Sequence, residues 1–197
     1  MAVNQESVSD TQIKDILTYI NGLNHSKQSR MMFMCSLLGG MRSINFRALQ
    51  VFDVYNPDGS VKESIDLKNE KNKGSKFSAT YHVNNQLKKE FEGYYDYLKG
   101  KYKDKFTSNT YLFASQKMHK PYNPRSVYRI FSGIYKKFFI HAGTHMGRHI
   151  YITKLIDNGI NPFIVQKLAN HRSVQTTQRY YNSNTNKLQA AVNTLKF

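Results

Sequence analysis

A helix that must lie in the protein interior is the strongest constraint in this sequence. Residues 26–38 are almost wholly apolar from Met31 onward, so a helix there has no face suited to solvent. The helix is expected to end at Gly39-Gly40, since glycine readily terminates helices. At 197 residues the chain is long enough to bury such a core.

The rest of the pattern predicts a mainly α protein with a small antiparallel β-sheet. Further helices are predicted over residues 8–23, 44–49, 84–102, 124–140, 145–158, 163–168, from 173 onward and over 187–195. Alternation in 61–67 and 77–83 predicts a hairpin or a three-stranded sheet, after a turn at Asn56-Pro57-Asp58-Gly59. Residues 51–55 are predicted to be extended. With no repeat or linker in the sequence, we predict one domain over residues 1–197.

Positive charge narrows the class of partner. The chain has 29 Lys and Arg against 13 Asp and Glu, a formal net charge of +16. A domain this basic attracts polyanions, of which nucleic acid is the commonest, although the charge is also compatible with a role in solubility alone. Candidate DNA contacts are Lys68, Lys73 and Lys76 in the predicted hairpin and Arg125, Arg129 and Lys136 on the outer face of the 124–140 helix. A solvated basic surface is the alternative for both groups.

Cysteine usage and the N-terminus indicate a compartment. Cys35 is the single cysteine and lies within the apolar helix, which predicts a buried core thiol and suits a reducing environment. The first ten residues lack the features of a signal peptide, and no apolar run approaches the roughly 20 residues that span a membrane. We expect a soluble cytoplasmic protein.

The segment from His145 to Tyr181 concentrates groups suited to phosphodiester chemistry. It combines His145, Arg148, His171 and Tyr180 at intervals that turns of helix can bring together. Guanidinium groups neutralise charge on a phosphoryl transition state, imidazoles donate hydrogen bonds or move protons, and a tyrosine can form a covalent phosphate ester.

A zinc site is the alternative interpretation of the two histidines at 145 and 149, which stand four residues apart. A metalloprotease helix needs Glu where this chain has Met146, and Arg148 would lie beside a dication. We therefore expect no metal, and the phosphodiester chemistry described above needs no other cofactor.

Arg42 directly follows the buried helix and the glycine turn. A guanidinium there is either held close to the core or exposed at the surface, and the local sequence leaves both open.

Five segments, in order along the chain, resemble the motifs of the tyrosine recombinases, the phage-integrase family. Gly-Gly-Met-Arg42 resembles Thr-Gly-Leu/Met-Arg, Leu49-x-x-x-Asp53-Val54 resembles Leu-x-x-x-Asp-Ile, His145-Met-Gly-Arg148-His149 resembles His-x-Leu-Arg-His, Leu-Ala-Asn-His171 resembles Leu-Gly-His, and Thr176-Thr177-Gln178-Arg179-Tyr180 matches Thr-Thr-x-x-Tyr. The resemblance covers roughly residues 10–185. It implies the fold of a tyrosine recombinase catalytic domain, mainly α with a small antiparallel sheet.

The resemblance also implies a role for each matched residue. Tyr180 would be the nucleophile that forms a 3′-phosphotyrosyl link and frees a 5′-hydroxyl, since the family's nine-residue step from His171 favours it over Tyr181. Arg42 and Arg148 would clamp the scissile phosphate. His145 would assist proton transfer, and His171 would donate a hydrogen bond to the phosphate. The general acid is a hairpin lysine: Lys71 begins a Lys-x-Lys-Gly segment like the family's, and Lys73 and Lys68 are the alternatives.

Three positions depart from the family pattern. Gly147 replaces the usual Leu, which is expected to remove a core contact and loosen the start of its helix. Asn170 replaces Gly, but Asn also tolerates a left-handed backbone. Asn45 stands where the family often has Glu. None removes a reacting group, so we expect activity.

The family implies how such a protein works. The expected activity is site-specific recombination, leading to integration, excision or inversion of DNA, by a homotetramer on two duplex sites with accessory DNA-bending proteins as further partners. Since the family's N-terminal DNA-binding domain is not recognised ahead of residue 10, we expect a short form with only the catalytic domain, encoded by a bacterium, phage or mobile element and associated with the nucleoid. Residues 186–197 are a candidate for docking onto a neighbouring subunit. The alternatives are a topoisomerase-like nicking-closing enzyme of type IB and a DNA-binding regulator without catalysis.

Overall fold

The computed structural model of the protein describes residues 8–68, 78–115, 120–180 and 192–193. The chain divides into two compact units, Met1–Tyr151 and Ile152–Phe197. Among the described residues, none of the helices combines the length and apolarity needed to cross a membrane.

The first two helices are found where the sequence predicts them. Helix α1 (Asp10–Asn21) begins with a capping box, in which the Ser9 side chain accepts from the Gln12 main chain and the Gln12 side chain accepts in return. Helix α2 (Ser26–Leu37) is buried throughout residues 31–37 and packs against α1. The core of the first unit is built around α2.

Cys35 is a buried core thiol, as predicted. It is 0% exposed, and burial raises the pKa of its thiol because the thiolate would be desolvated. This environment disfavours a nucleophilic role.

The next segment corrects one prediction. Helix α3 (Ser43–Phe46) is shorter than the predicted helix at 44–49. Residues 51–55, predicted to be extended, instead begin with helix α4 (Val51–Val54), while Tyr55 is extended. The side chains of Gln50 and Asp53 cap the start of α4, and this local hydrogen bonding overrides the strand propensity of its two valines.

The sheet is small and antiparallel. Strand β1 (Ser64–Leu67) pairs with strand β2 (Ala79–His82), with Ser64 opposite His82. Within the described ranges it has two strands, so the hairpin prediction is confirmed and the third strand is reduced to a single bridge between Tyr55 and Val61. The predicted turn at 56–59 lies between these two residues.

Two longer helices complete the first unit. Helix α5 (Asn85–Tyr102) is capped by Asn84 and followed by a 3-10 turn, Lys103–Lys105. Helix α6 (Pro124–Lys136) is capped by Asn123 and ends before the predicted residue 140. It stops because Phe139 adopts a left-handed backbone (φ 58°) and the Ile140 N–H turns back to the Tyr135 carbonyl at 3.1 Å.

The helices after residue 145 are close to their predicted positions. Helix α7 (Met146–Asp157) ends ahead of Gly159, which has φ 74°. Helix α8 (Pro162–Leu168) follows, and helix α9 (Val174–Gln178) is capped by Ser173. Tyr180, predicted to lie on this last helix, comes after its end, and Tyr181 lies outside the described residues. The predicted helix at 187–195 lies almost wholly outside the described residues.

Candidate active site

Arg148 is a buried cation near the start of α7. It is 5% exposed, and its Nη1 donates to the Gly40 carbonyl oxygen at 2.5 Å. A buried charge needs such hydrogen bonds to offset its desolvation. The sequence identified Arg148 as a site residue but gave no sign of this carbonyl partner.

Two features of position 40 require a glycine there. Its φ is +60°, in the left-handed region, and a Cβ there would lie 2.5 Å from the Tyr151 ring. The absent side chain thus lets the Tyr151 ring pack on the turn while the Gly40 carbonyl binds Arg148. The glycine that ends α2 therefore also positions a guanidinium.

Arg42 follows this turn and begins α3 as its N-cap residue. Arg42 is half-buried, and its side chain hydrogen-bonds the buried Tyr81, so of the two environments that the sequence left open the guanidinium occupies the one close to the core.

The buried Tyr81 lies near both arginines. Tyr81 on β2 is 1% exposed, and its hydroxyl donates to Asn45 Oδ1 at 3.0 Å. Burial raises the pKa of the Tyr81 phenol, whereas the positive charges of Arg42 and Arg148 and hydrogen bonds from Arg42 act to lower it. Both guanidinium groups therefore lie near one neutral phenol. Sequence reasoning missed Tyr81, since alternation in β2 indicates only that it faces inward.

Gly147 corrects the expectation of a loosened helix. A Cβ at this position would lie 2.6 Å from Ser36 Oγ and 2.9 Å from Ser36 Cβ, so α7 lies directly against α2. The close approach of the two helices leaves no room for the family's Leu. The glycine makes this contact tighter, and it immediately precedes Arg148.

His145 is exposed and precedes the first residue of α7. Its carbonyl accepts from the His149 main chain at 2.9 Å. His149 is half-buried, and desolvation lowers the pKa of its imidazole.

The second unit contains His171 and Tyr180. Asn170 has φ 49°, the left-handed backbone for which Asn is a suitable replacement for Gly. His171 Nδ1 lies 2.9 Å from Thr177 Oγ1, and the rings of His171 and Tyr180 are stacked with centroids 6.1 Å apart. The sequence matched Thr177 to a motif without assigning it a role.

The lysines fall mostly outside the described ranges. Lys71, Lys73 and Lys76 lie among residues 69–77, which are not described, so the choice of general acid stays a prediction. Lys68 is described and exposed directly after β1. The candidate DNA contacts Arg125, Arg129 and Lys136 are exposed on α6, whose opposite face is buried, as predicted.

Each unit thus carries groups suited to phosphoryl transfer. The first holds two guanidinium groups, which can neutralise the non-bridging oxygens of a phosphodiester. The second holds an imidazole beside a tyrosine, which can donate a hydrogen bond and act as a nucleophile.

Known proteins resemble this chain in sequence, one of them over nearly its full length. Transposase A from transposon Tn554 of Staphylococcus aureus is 27% identical over 187 residues, covering 92% of this chain and 50% of the relative. Tyrosine recombinase XerA of Pyrococcus furiosus is 33% identical over 84 residues, covering 42% of this chain and 29% of the relative. The chain spans about half the length of the Tn554 transposase that it matches.

Solved structures share the fold. The Tn1549 transposon integrase, in complex with transposon right end DNA, matches with a TM-score of 0.74 at 17% identity, covering 97% of this chain and 66% of that chain. A crystal structure of XerA recombinase matches with a TM-score of 0.72 at 18% identity, covering 96% of this chain and 65% of that chain. These likenesses confirm the predicted fold class.

A model of the phage integrase family matches residues 6–187, a range that contains every motif from Gly39 to Tyr180. Because that match spans most of the chain, the protein belongs to the phage integrase family.

Proposed function

We propose that the protein is a site-specific recombinase that cleaves and rejoins duplex DNA through a 3′-phosphotyrosyl intermediate on Tyr180. The observation that carries the proposal is the pair of guanidinium groups of Arg42 and Arg148 beside the buried Tyr81 phenol. Two guanidinium charges beside a neutral phenol suit a phosphoryl transition state that carries two negative charges. Membership of the family supports the assignment.

The proposed reaction exchanges one phosphate ester for another. The Tyr180 phenol passes its proton to the His145 imidazole as its oxygen attacks phosphorus, the bond to the 5′ oxygen breaks, and Lys71 protonates that oxygen to give the 5′-hydroxyl. Arg42 and Arg148 neutralise the non-bridging oxygens, His171 donates to one of them, and His145 assists proton transfer. The new ester conserves the bond energy, so attack by a 5′-hydroxyl reverses the step and rejoins the strand without a nucleotide cofactor.

The proposed substrate is duplex DNA. A net charge of +16 and the exposed cations on α6 favour phosphate contacts, and the Tn1549 integrase was solved on transposon DNA. The proposal includes a homotetramer on paired sites, accessory DNA-bending proteins and action at the nucleoid. Affinity should fall steeply between 50 and 200 mM salt, as expected for a protein that releases counterions on binding.

The test is formation of a covalent adduct. Nicked duplexes tiling the DNA that flanks the gene are incubated with the protein, and products are separated under denaturing conditions. Wild type and Tyr181→Phe are expected to form a denaturant-stable adduct with a free 5′-hydroxyl, whereas Tyr180→Phe should form none.

Two outcomes contradict the proposal in different ways. An adduct that persists in Tyr180→Phe and disappears in Tyr181→Phe moves the nucleophile to Tyr181. Salt-sensitive binding to a specific duplex, without an adduct on any nicked duplex, identifies a DNA-binding regulator instead.

A further inference from the structure

The Thr177 hydroxyl is placed to control the His171 ring. Its Oγ1 lies 2.9 Å from Nδ1, a hydrogen-bond distance. Thr177 is 0% exposed, whereas His171 is half-buried. The Nδ1 edge of the ring thus faces a buried hydroxyl.

That hydrogen bond has a preferred direction. A buried hydroxyl costs free energy if its proton has no acceptor. A neutral imidazole has one N–H and one unprotonated nitrogen, so Nδ1 accepts from Thr177 only when the ring proton is on Nε2. The contact therefore favours the tautomer whose Nε2–H points away from Thr177.

The main chain around His171 is fixed separately from its ring. The His171 N–H donates to the Gln166 carbonyl at 3.0 Å, and Gln166 Nε2 donates to the His171 carbonyl at 3.2 Å. These bonds tie the main chain of His171 to α8 and do not by themselves set the orientation of its ring. Thr177, on α9, contacts the ring itself.

We propose that Thr177 is a positioning residue that holds neutral His171 in the Nε2–H tautomer and fixes the orientation of its ring. Nε2–H is then presented as a donor to a non-bridging oxygen of the scissile phosphate. The ring orientation also sets how His171 stacks on Tyr180. The inference rests on the proposed function, which makes His171 a phosphate donor.

The first measurement needs no DNA. Protein labelled with 15N-histidine is followed by NMR at a pH where His171 is neutral. Wild type is expected to show Nε2 protonated and Nδ1 unprotonated. Thr177→Val, nearly the same in shape, should shift the Nδ1 resonance, and Thr177→Ser should restore it.

The second measurement is the rate of adduct formation. Loss of one positioning hydrogen bond should slow Thr177→Val roughly tenfold, with recovery in Thr177→Ser. Thr176→Val is the matched control, because Thr176 precedes Thr177 in the same helix. It should change neither the Nδ1 resonance nor the rate.

The outcomes separate this inference from the proposed function. A His171 proton on Nδ1 in wild type overturns the inference, as does an unchanged Nδ1 resonance or rate in Thr177→Val. The wild-type spectrum and the serine variant keep the test valid if Thr177→Val fails to fold. The expected tautomer, dependent on Thr177, in a protein that forms no adduct contradicts the proposed function alone.

Discussion

The candidate residues of the two units are held in place by different kinds of contact. In the first unit, Arg148 donates to Gly40 across 108 residues of sequence, and Tyr81 donates to Asn45 across 36. In the second, His171 forms hydrogen bonds with Gln166 and Thr177, five and six residues away along the chain. The two arginines therefore depend on contacts of the packed core, whereas His171 is held in part by short local helices.

This difference has a physical consequence. A guanidinium that is fixed before substrate arrives stabilises charge without reorganisation, and long-range contacts provide that rigidity. Substitutions in the first unit should therefore change stability together with activity. Substitutions around His171 should act on the reaction with a smaller change in stability.

The largest effect is expected from Arg148→Lys. Lysine keeps the charge but lacks the planar fork that can bind Gly40 and a phosphate oxygen together. Adduct formation should slow by about 100–1,000-fold, as when one donor to a developing charge is lost. Arg47→Lys is the control: Arg47 is half-buried and, like Arg148, donates to a carbonyl, that of Tyr122 at 2.9 Å. If both variants lose activity equally, the loss reflects packing rather than the phosphate clamp.

The second effect compares a glycine from each unit. Gly40 and Gly159 both have left-handed φ, but a Cβ would meet the Tyr151 ring only at Gly40, while none of the described atoms lies within 4 Å at Gly159. Gly159→Ala should cost about 1–2 kcal/mol of unfolding free energy from backbone strain. Gly40→Ala should cost about 2–5 kcal/mol, because overpacking adds to strain. Denaturant unfolding measures both.

Gly93→Ala is expected to raise the unfolding free energy, where the two preceding substitutions lower it. Gly93 lies within α5, and a Cβ there meets none of the described atoms within 4 Å. Alanine should stabilise the protein by about 0.5–1 kcal/mol. If Gly40→Ala and Gly159→Ala lower the unfolding free energy equally, the Tyr151 ring moves aside without penalty.

Sequence reasoning succeeded where the information is local. Helices α1, α5 and α6 begin within two residues of their predicted starts, where Ser9, Asn84 and Asn123 cap them, since a cap acts on residues within one turn. The motif arginines were identifiable because their spacing along the chain matches the family. Helix α4 was missed because a local capping box outweighed strand propensity.

The missed features of the site depend on residues distant in sequence. The space at Gly147 is decided by Ser36, and the surroundings of Arg42 by Tyr81. Neither pair is related by helical or strand periodicity, so one sequence without its fold does not reveal them. The wrong expectation at Gly147 came from assuming the family's packing there.

The third effect tests that corrected contact. Gly147→Ala should cost about 1–3 kcal/mol of unfolding free energy, because the new methyl group overlaps Ser36. In a Ser36→Gly background the added cost should largely disappear, so a double-mutant cycle should show coupling. Additive costs would mean that α7 and α2 are not in contact at this point.

The smallest effect compares two buried hydroxyl groups of the first unit. Tyr81→Phe removes a hydroxyl that donates to buried Asn45, so unfolding free energy should fall by about 1 kcal/mol and adduct formation should slow as Arg42 loses its partner.

Tyr135→Phe is the matched control. Among the described residues the Tyr135 hydroxyl, though buried, has no hydrogen-bond partner, so its removal should leave stability unchanged or raise it by about 1 kcal/mol. The two variants lose the same atom from equally buried rings, so only the hydrogen bond distinguishes them. Equal changes in stability would show that the hydrogen bond from Tyr81 to Asn45 does not stabilise the fold. An unchanged rate of adduct formation in Tyr81→Phe would show that Arg42 is oriented without help from the Tyr81 hydroxyl.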